Sequence, residues 1–243
     1  EELQRVDGIT RHGVLLVVGL FVHRGEVEPL AGLLGAGRTE LARAIVGADP
    51  RDAGTISIKG VSVRVRRPYD AIRRGVGFLP EDRKTQGLIL GLSVGDNIAL
   101  PSLARLSRVG VVRTGEGSRV AQRLVRELRI KTSGLQQLAQ QLSGGNQQKV
   151  VLAKWLAANA DVLIMDEPTR GIDVGAKVEI YELMNQVTAR GAGVLMISSE
   201  LPEIVGMSDR VLVMRLGRIV AELDGAEATQ ERVLGAALGH AAA

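Results

Sequence analysis

Residues 32–39 read Gly-Leu-Leu-Gly-Ala-Gly-Arg-Thr and lie between an apolar run of strand length and a helical pattern over 38–47. The segment matches the phosphate-loop consensus G-x-x-x-x-G-K-[ST], except that Arg38 replaces the lysine. Glycines in such a loop let backbone N–H groups surround phosphate oxygens, and the N-terminus of the following helix adds positive potential. A dinucleotide-binding loop is excluded, because Glu40 occupies the position of its third glycine. The segment predicts nucleotide binding; a glycine-rich turn that binds nothing is the alternative.

Two side chains at the end of this segment carry specific chemistry. Thr39 stands where a hydroxyl would bind Mg²⁺. Arg38 has a wide planar fork on a longer stem than lysine, whose compact ammonium fits between two phosphates. We therefore expect Arg38 to be able to pair with phosphate but not to fill the lysine's position.

A second motif follows the apolar run Val-Leu-Ile-Met at 162–165, where Asp166 and Glu167 stand side by side before Pro168. A carboxylate at a buried strand end can hold the coordination shell of Mg²⁺, and its neighbour can polarise an attacking water. Without other motifs, two adjacent acidic residues at a strand end are more often exposed on the surface or cap a helix. The phosphate loop upstream favours the chemical interpretation.

A third motif, Leu-Ser-Gly-Gly-Asn-Gln-Gln-Lys at 142–149, opens a helical pattern over 146–158. Ser143 is predicted to cap the helix, and Gly144 and Gly145 allow the close approach of an anion. The alternative is an ordinary capped helix. The order of the three motifs along the chain makes that alternative weak.

Composition narrows the class of protein. The chain has 243 residues, of which 45% are hydrophobic, so it can bury a core and is not intrinsically disordered. It has no cysteine, which excludes disulfides and thiolate metal sites, and its aromatic content of 2% argues against a base-stacking nucleic-acid surface. The net charge of +4 is scattered, and no apolar run is long enough to span a bilayer. Because the chain begins at Glu1 without methionine, we expect it to be part of a longer protein.

Apolar runs of strand length alternate with helical patterns, which predicts an α/β fold with a parallel sheet. From about 81 to 138 the pattern changes to loops and helices, which indicates a helical insertion. We expect a sheet core over about 1–80 and 160–243 and a helical subdomain over about 88–158. The predicted strands cover 14–22, 26–31, 54–58, 61–65, 75–79, 162–165, 193–197, 211–215 and 218–223, and the predicted helices cover 38–47, 118–128, 146–158 and 177–190.

With these motifs in this order, the chain resembles the ATP-binding-cassette (ABC) ATPases from about residue 25 to 239. Finer segments resemble the second nucleotide-binding half of monosaccharide importers of the ribose, galactose, arabinose and xylose type. These segments lie at 35–40, 80–84, 142–149, 166–177 and 198–203. The resemblance implies a P-loop NTPase fold, an ABC-type nucleotide-binding domain with an antiparallel β subdomain and a helical insertion.

The resemblance also implies roles for individual residues, with ATP and Mg²⁺ as cofactors. Glu167 takes the position of the catalytic base and Ser199 that of the switch histidine. Thr39, Glu81 and Asp166 are implied metal-site residues, Glu81 standing where many relatives carry the Gln-loop glutamine. The implied nucleotide-binding residues are Gly32, Gly35, Ala36, Gly37, Arg38, Thr39, Glu40, Glu81, Ser143, Gly144, Gly145, Asp166 and Asp173.

Two departures from the family pattern concern γ-phosphate transfer, namely Arg38 in place of lysine and Ser199 in place of histidine. Loss of one such electrostatic donor costs on the order of 10²–10³ in rate. We therefore expect the site on this half's own phosphate loop to be slow or inactive. The intact signature around Ser143 is then expected to complete the ATP site of a partner half.

The expected function is that of an ATPase half that powers import of a simple sugar. Its expected partners are an N-terminal ABC half of the same protein, transmembrane permease subunits and, indirectly, a periplasmic or lipoprotein sugar-binding protein, with no nucleic acid. The expected location is peripheral, on the cytoplasmic face of the cell membrane. One alternative is a regulatory half that senses nucleotide without hydrolysis. Another is a non-transport ABC ATPase acting on DNA or ribosomes, which would carry coiled-coil arms or concentrated basic charge.

Overall fold

The computed structural model describes residues 1–108, 111–208, 210–225 and 227–239. The chain divides into two compact units. The first, called the sheet unit, comprises Glu1–Phe78, Asp161–Glu167 and Met184–Ala243. The second, called the helical unit, comprises Leu79–Ala160 and Pro168–Leu183.

A six-stranded sheet forms the centre of the sheet unit, in the order β12-β11-β3-β10-β9-β6. Strands β9, β10, β3 and β11 are parallel neighbours, and β12 closes one edge antiparallel to β11. Every residue of β9 and β10 is buried, which explains their continuous apolar sequence. The bounds are β3 Val27–Gly32, β6 Val76–Leu79, β9 Val162–Asp166, β10 Gly193–Ile197, β11 Arg210–Arg215 and β12 Arg218–Asp224.

A second, four-stranded antiparallel sheet has the order β2-β1-β4-β5. The predicted pair over 54–58 and 61–65 is confirmed as β4 and β5, and the predicted strand over 14–22 as β2. Its bounds are β1 Glu2–Arg11, β2 Leu15–His23, β4 Ala53–Ile58 and β5 Val61–Val63.

Strand β1 is not predicted from the sequence because its pattern is irregular. Its buried apolar residues Leu3, Val6 and Ile9 recur every third position instead of every second. The pairing with β2 shifts register between Glu2 and Gln4 and again between Val6 and Ile9. At each of these shifts β1 has one residue more than β2, which moves the next apolar side chain back to the buried face.

Helices complete the sheet unit, and one apolar core joins two of them to both sheets. The predicted helix over 38–47 is confirmed as α1, whose Leu41 and Ile45 are fully buried against Leu30 of β3 and Ile164 of β9 in that core. The other helices wholly in this unit are α2 Pro68–Ile72, α8 Leu201–Gly206 and α9 Gln230–Leu238, with α1 at Arg38–Ile45.

The helical unit is built on α6, which is buried along most of its length. The predicted helices over 118–128 and 146–158 are confirmed as α5 and α6. The helix predicted over 177–190 is confirmed as α7, whose residues are divided between the two units. The bounds are α3 Val94–Ala99, α4 Leu103–Leu106, α5 Thr114–Glu127, α6 Gly144–Ala157 and α7 Val174–Ala189, with a short hairpin of β7 Ser107–Arg108 and β8 Val111–Val112. Among the described residues, none of the helices combines the length and apolarity that crossing a bilayer requires.

Glu28 is a charged residue inside the central strand β3, and its side chain is 1% exposed. Arg210 Nε donates to Glu28 Oε2 at 3.1 Å, and His23 Nδ1 lies 3.1 Å from Glu28 Oε1. The Arg210 guanidinium also stacks over the Phe21 ring, 4.6 Å from its centroid, and pairs with Glu222. Both oxygens of the buried carboxylate are therefore satisfied, which lets the strand tolerate the charge.

We expect Glu28→Ala to lower the free energy of unfolding by about 3 kcal/mol, because removing one member of a buried pair leaves the other charge uncompensated. Urea unfolding followed by circular dichroism measures the loss. The matched control is Glu222→Ala, which removes the half-exposed partner of the same guanidinium and should cost less than about 1 kcal/mol. Equal losses of unfolding free energy in the two variants would show that the burial of Glu28 does not cause its larger expected effect.

Candidate functional site

The glycines of residues 32–37 are dictated by local geometry. A Cβ on Gly32 would lie 2.5 Å from the carbonyl oxygen of Met214 in β11. Gly35 and Gly37 have φ of 78° and 100°, and Gly37 precedes the first residue of α1. Because side chains disfavour both the contact and the left-handed backbone, this connection from β3 to α1 requires glycine. Leu33, Leu34 and Gly35 are exposed at its tip.

Arg38 does not extend toward the tip of the loop. Its side chain passes beneath Gly32 and is buried, with 7% exposure. One guanidinium nitrogen, Nη1, donates to the carbonyl oxygen of Ser198 at the end of β10. The other, Nη2, lies 3.7 Å from Glu167 Oε1. Burial lowers the pKa of Arg38, while the charges of Glu167 and Asp166 oppose that shift.

Asp166 is the last residue of β9 and is 1% exposed. Neither of its carboxylate oxygens meets the geometry of a hydrogen bond with any described residue. Burial raises the pKa of Asp166 to about 6, although the nearby Thr39 hydroxyl and Arg38 guanidinium act in the opposite direction. A buried carboxylate without partners, next to a hydroxyl, is a donor set that suits a hard divalent cation such as Mg²⁺. Thr39 and Asp166 therefore fit the metal role that the motifs predict.

Glu167 follows in an unusual backbone conformation, with φ of 47°. Its N–H donates to the carbonyl oxygen of Ile197 at 2.8 Å, which ties it to β10. A non-glycine residue in the left-handed region costs free energy and persists only where its surroundings hold it. The side chain is 13% exposed, so its carboxylate can still meet solvent or substrate.

The strand end around Ser198 contains a partner that sequence reasoning missed. Ser198 is buried, and its Oγ donates to Glu203 Oε2 at 2.9 Å and accepts from the Glu200 N–H at 3.0 Å. The carbonyl of the same residue accepts from Arg38. Ser199, predicted at the switch position, is the exposed neighbour. The acceptor of Arg38 is a backbone carbonyl 160 positions away in the sequence, and no sequence motif marks such a group. Only the folded structure could show this contact.

In the helical unit, the prediction that the Ser143 side chain caps α6 is wrong. Ser143 is the N-cap residue by position, but its side chain makes no capping hydrogen bond. Its Oγ instead accepts from Nδ2 of Asn146 at 2.8 Å. The side chain three residues later thus engages the hydroxyl that would otherwise meet the helix backbone.

The two signature glycines are packed against protein. A Cβ on Gly144 would lie 2.6 Å from Arg83 Nη2, and one on Gly145 would lie 2.7 Å from the Cβ of Ala176. Arg83 also donates to the carbonyl oxygens of Arg170 and Gly171, at 2.8 and 3.0 Å. Close packing is therefore a reason for glycine here, in addition to the expected approach of an anion.

Two further predicted residues lie near this segment in the helical unit. Glu81 forms an ion pair with Arg170. Asp173 Oδ1 accepts the N–H of Ala176 at 2.9 Å and so caps the first turn of α7. The predicted residues are thus grouped in two sets. The sheet unit holds Gly32, Gly35, Ala36, Gly37, Arg38, Thr39, Glu40, Asp166, Glu167 and Ser199, and the helical unit holds Glu81, Ser143, Gly144, Gly145 and Asp173.

Solved structures with the same fold are ABC cassettes. A nucleotide-free ATP-binding cassette from an ABC transporter superposes with a TM-score of 0.79 at 21% identity, covering 93% of this chain and 92% of that chain. An ATP-binding subunit of an ABC transporter gives a TM-score of 0.74 at 29% identity, covering 91% and 90%. The predicted fold class is confirmed.

Curated relatives are more similar in sequence. Ribose import ATP-binding protein RbsA 1 of Rubrobacter xylanophilus is 58% identical over 98% of this chain and 48% of its own length. Ribose import ATP-binding protein RbsA of Bacillus licheniformis is 50% identical over 96% and 48%. The chain spans about half the length of the curated relatives it matches.

The family model for ABC transporters matches residues 15–170. That range includes the phosphate loop, the signature segment and the Asp166–Glu167 pair, so the motifs that carry the chemistry lie inside the match. The chain belongs to the ABC transporter family.

Proposed function

We propose that this chain is a nucleotide-binding half of a sugar importer, and that it binds ATP with Mg²⁺ and takes part in ATP hydrolysis that powers import. The observation that carries the proposal is the buried Asp166 carboxylate, which makes no well-aligned hydrogen bond with any described residue and lies beside the Thr39 hydroxyl. The names of the relatives, which specify ribose import and ATP binding, supply the substrate class. Both units together then form one nucleotide-binding domain.

Mg²⁺ would be held by Thr39 and Asp166 of the sheet unit. When bound, the ion neutralises charge on the phosphates of the nucleotide. The chain's own contribution is the loop of residues 32–37, whose backbone N–H groups and following helix N-terminus bind phosphate oxygens. Glu167 would orient and polarise the attacking water.

We further propose that the chain's own hydrolytic site is slow, because Arg38 competes for groups that hydrolysis needs. Its guanidinium is bonded to the Ser198 carbonyl and lies 3.7 Å from the Glu167 carboxylate. A carboxylate oxygen that faces a cation at this distance is less free to hold a water. Ser199 then offers no imidazole at the switch position. The same contact favours a second candidate function, a regulatory half that senses nucleotide without hydrolysing it.

The signature segment is then proposed to serve a partner. Ser143 is exposed, as a residue must be if it is to reach nucleotide bound by another half. Because the curated relatives are about twice as long, an N-terminal ABC half of the same protein is the proposed partner. Transmembrane permease subunits and a sugar-binding protein complete the proposed importer, and the chain would be peripheral on the cytoplasmic face of the membrane.

One experiment tests both the slow own site and the role of the signature segment at the partner's site. It compares Ser143→Ala with Glu167→Gln in the complete protein, in vesicles that contain the permease. We expect Ser143→Ala to reduce ATP hydrolysis and sugar uptake by 10²-fold or more, because it removes a donor to the transferred phosphate. Glu167→Gln should leave most of the hydrolysis, since the working site belongs to the partner half. A larger loss from Glu167→Gln than from Ser143→Ala would show that this half's own site carries out most of the hydrolysis. If Glu167→Gln leaves uptake untouched as well, the own site is regulatory or inert.

The slow site can be restored if Arg38 and Ser199 are its defects. In the Ser143→Ala background, where the partner's site is disabled, we expect the double change Arg38→Lys and Ser199→His to raise residual ATP hydrolysis at least 10²-fold. The control is Arg43→Lys in the same background, an Arg-to-Lys change in α1 that lies outside the site. No gain over that control would contradict the proposed cause of the slow turnover.

The raised pKa of Asp166 predicts a pH-dependent cost in the metal-free chain. Since the folded pKa of about 6 exceeds the ordinary pKa of 3.8 for an aspartate carboxyl, the ionised group costs stability above pH 6, and this cost disappears as the pH falls below 3.8. We expect Asp166→Asn to raise the free energy of unfolding by about 1–3 kcal/mol at pH 8 and by much less at pH 4. Denaturant unfolding at both pH values measures it. The same stabilisation at both values would contradict the assignment.

A further inference from the structure

The Asn146 side chain is held at both ends of its amide. Its Oδ1 accepts the backbone N–H of Lys131 at 2.7 Å, and its Nδ2 donates to Ser143 Oγ at 2.8 Å. The first of these bonds decides the orientation of the amide, because exchanging oxygen and nitrogen would turn an N–H₂ group against another N–H.

The segment that carries Lys131 is itself fixed to α6. Lys149, which lies three residues after Asn146 on the same face of the helix, donates from Nζ to the carbonyl oxygen of Arg129 at 3.2 Å and pairs with Glu179 at 2.6 Å. Lys149 and Asn146 therefore both contact the segment from residue 129 to 131. This second attachment holds the Lys131 N–H in place against Asn146.

This arrangement determines the role of the Ser143 hydroxyl. An amide nitrogen has no lone pair with which to accept, so Ser143 Oγ must be the acceptor in its contact with Asn146. The one hydroxyl proton then has to point away from Asn146. The bond from Asn146 is the one hydrogen bond of the Ser143 side chain within the described part of the chain, and Ser143 is exposed, so its proton has no competing acceptor there.

We propose that Asn146 is a positioning residue that holds the Ser143 hydroxyl as a hydrogen-bond donor toward a phosphate oxygen of the nucleoside triphosphate bound by the partner half. The proposal rests on the proposed function of the signature segment. A free serine hydroxyl rotates and can equally present a lone pair, which an anion repels. The bond from Asn146 fixes the hydroxyl as a donor before the nucleotide binds. The Lys131 N–H, which donates to the amide oxygen, makes the amide N–H a stronger donor to Ser143.

Asn146→Asp separates this role from packing, because it keeps the shape of the side chain and reverses one hydrogen bond. One carboxylate oxygen can still accept the Lys131 N–H. The other must accept the Ser143 proton, which turns the serine lone pairs outward. Gln141→Glu is the matched control for the added charge, since Gln141 is exposed two residues before Ser143 and has no role in the site.

The measurement is kcat and KM for ATP in the complete protein with each change, alone and combined with Ser143→Ala. We expect Asn146→Asp to lower kcat about 10²-fold, with a smaller change in KM, and Asn146→Ala to lower it about tenfold. Gln141→Glu should change kcat less than threefold. In the Ser143→Ala background, Asn146→Asp should cost no more than Gln141→Glu, because no hydroxyl remains to be oriented.

The outcomes distinguish this inference from the proposed function. If Ser143→Ala retains the wild-type kcat, the proposed role of the signature segment fails, and this inference fails with it. If Ser143→Ala is impaired but Asn146→Asp matches Gln141→Glu, only the inference is overturned. A loss from Asn146→Asp that is equal with and without the hydroxyl would also overturn it, because it would show a structural role. Asn146→Ala adds no charge and gives the same double-variant comparison if the aspartate variant does not fold.

Discussion

A buried carboxylate without a well-aligned hydrogen bond is costly, and among the described residues of the sheet unit Asp166 is in that position. Asp166 ends a fully buried strand, and burial is the largest cause of its raised pKa. The groups that oppose this shift are the Thr39 hydroxyl and the Arg38 guanidinium, which belong to the first two residues of α1. Strand β9 and helix α1 are thus coupled through electrostatics as well as through the apolar core that they share.

Arg38 is the clearest consequence of this coupling. Its guanidinium needs a buried acceptor, and the Ser198 carbonyl at the end of β10 supplies it. The neighbouring Glu167 donates its own N–H to the Ile197 carbonyl, so both acidic residues at the carboxyl end of β9 are positioned by the adjacent parallel strand β10. The arginine at the lysine position of the consensus is therefore accommodated by the interior of the unit.

The helical unit presents its signature segment by a different principle, which is close packing of backbone. Gly144 and Gly145 leave no room for a side chain next to Arg83 and Ala176. Ser143 remains exposed at the edge of this packed region, and its hydroxyl is engaged by Asn146 from within the same helix. The exposed Ser143 hydroxyl is thus supported by a closely packed part of the helical unit.

Much of the architecture follows from local pattern, because continuous apolar runs specify buried parallel strands and the glycine spacing of residues 32–37 specifies a turn into a helix. By itself the sequence determined the α/β class, the order of most strands and helices, and the three motifs around Arg38, Ser143 and Asp166. Strand β1 was not predicted, because bulges change the spacing of its buried residues from every second position to every third. The acceptor of Arg38 and the orientation of the Asn146 amide were decided only by tertiary structure, since Ser198 and Lys131 are distant in the sequence from the side chains that they contact.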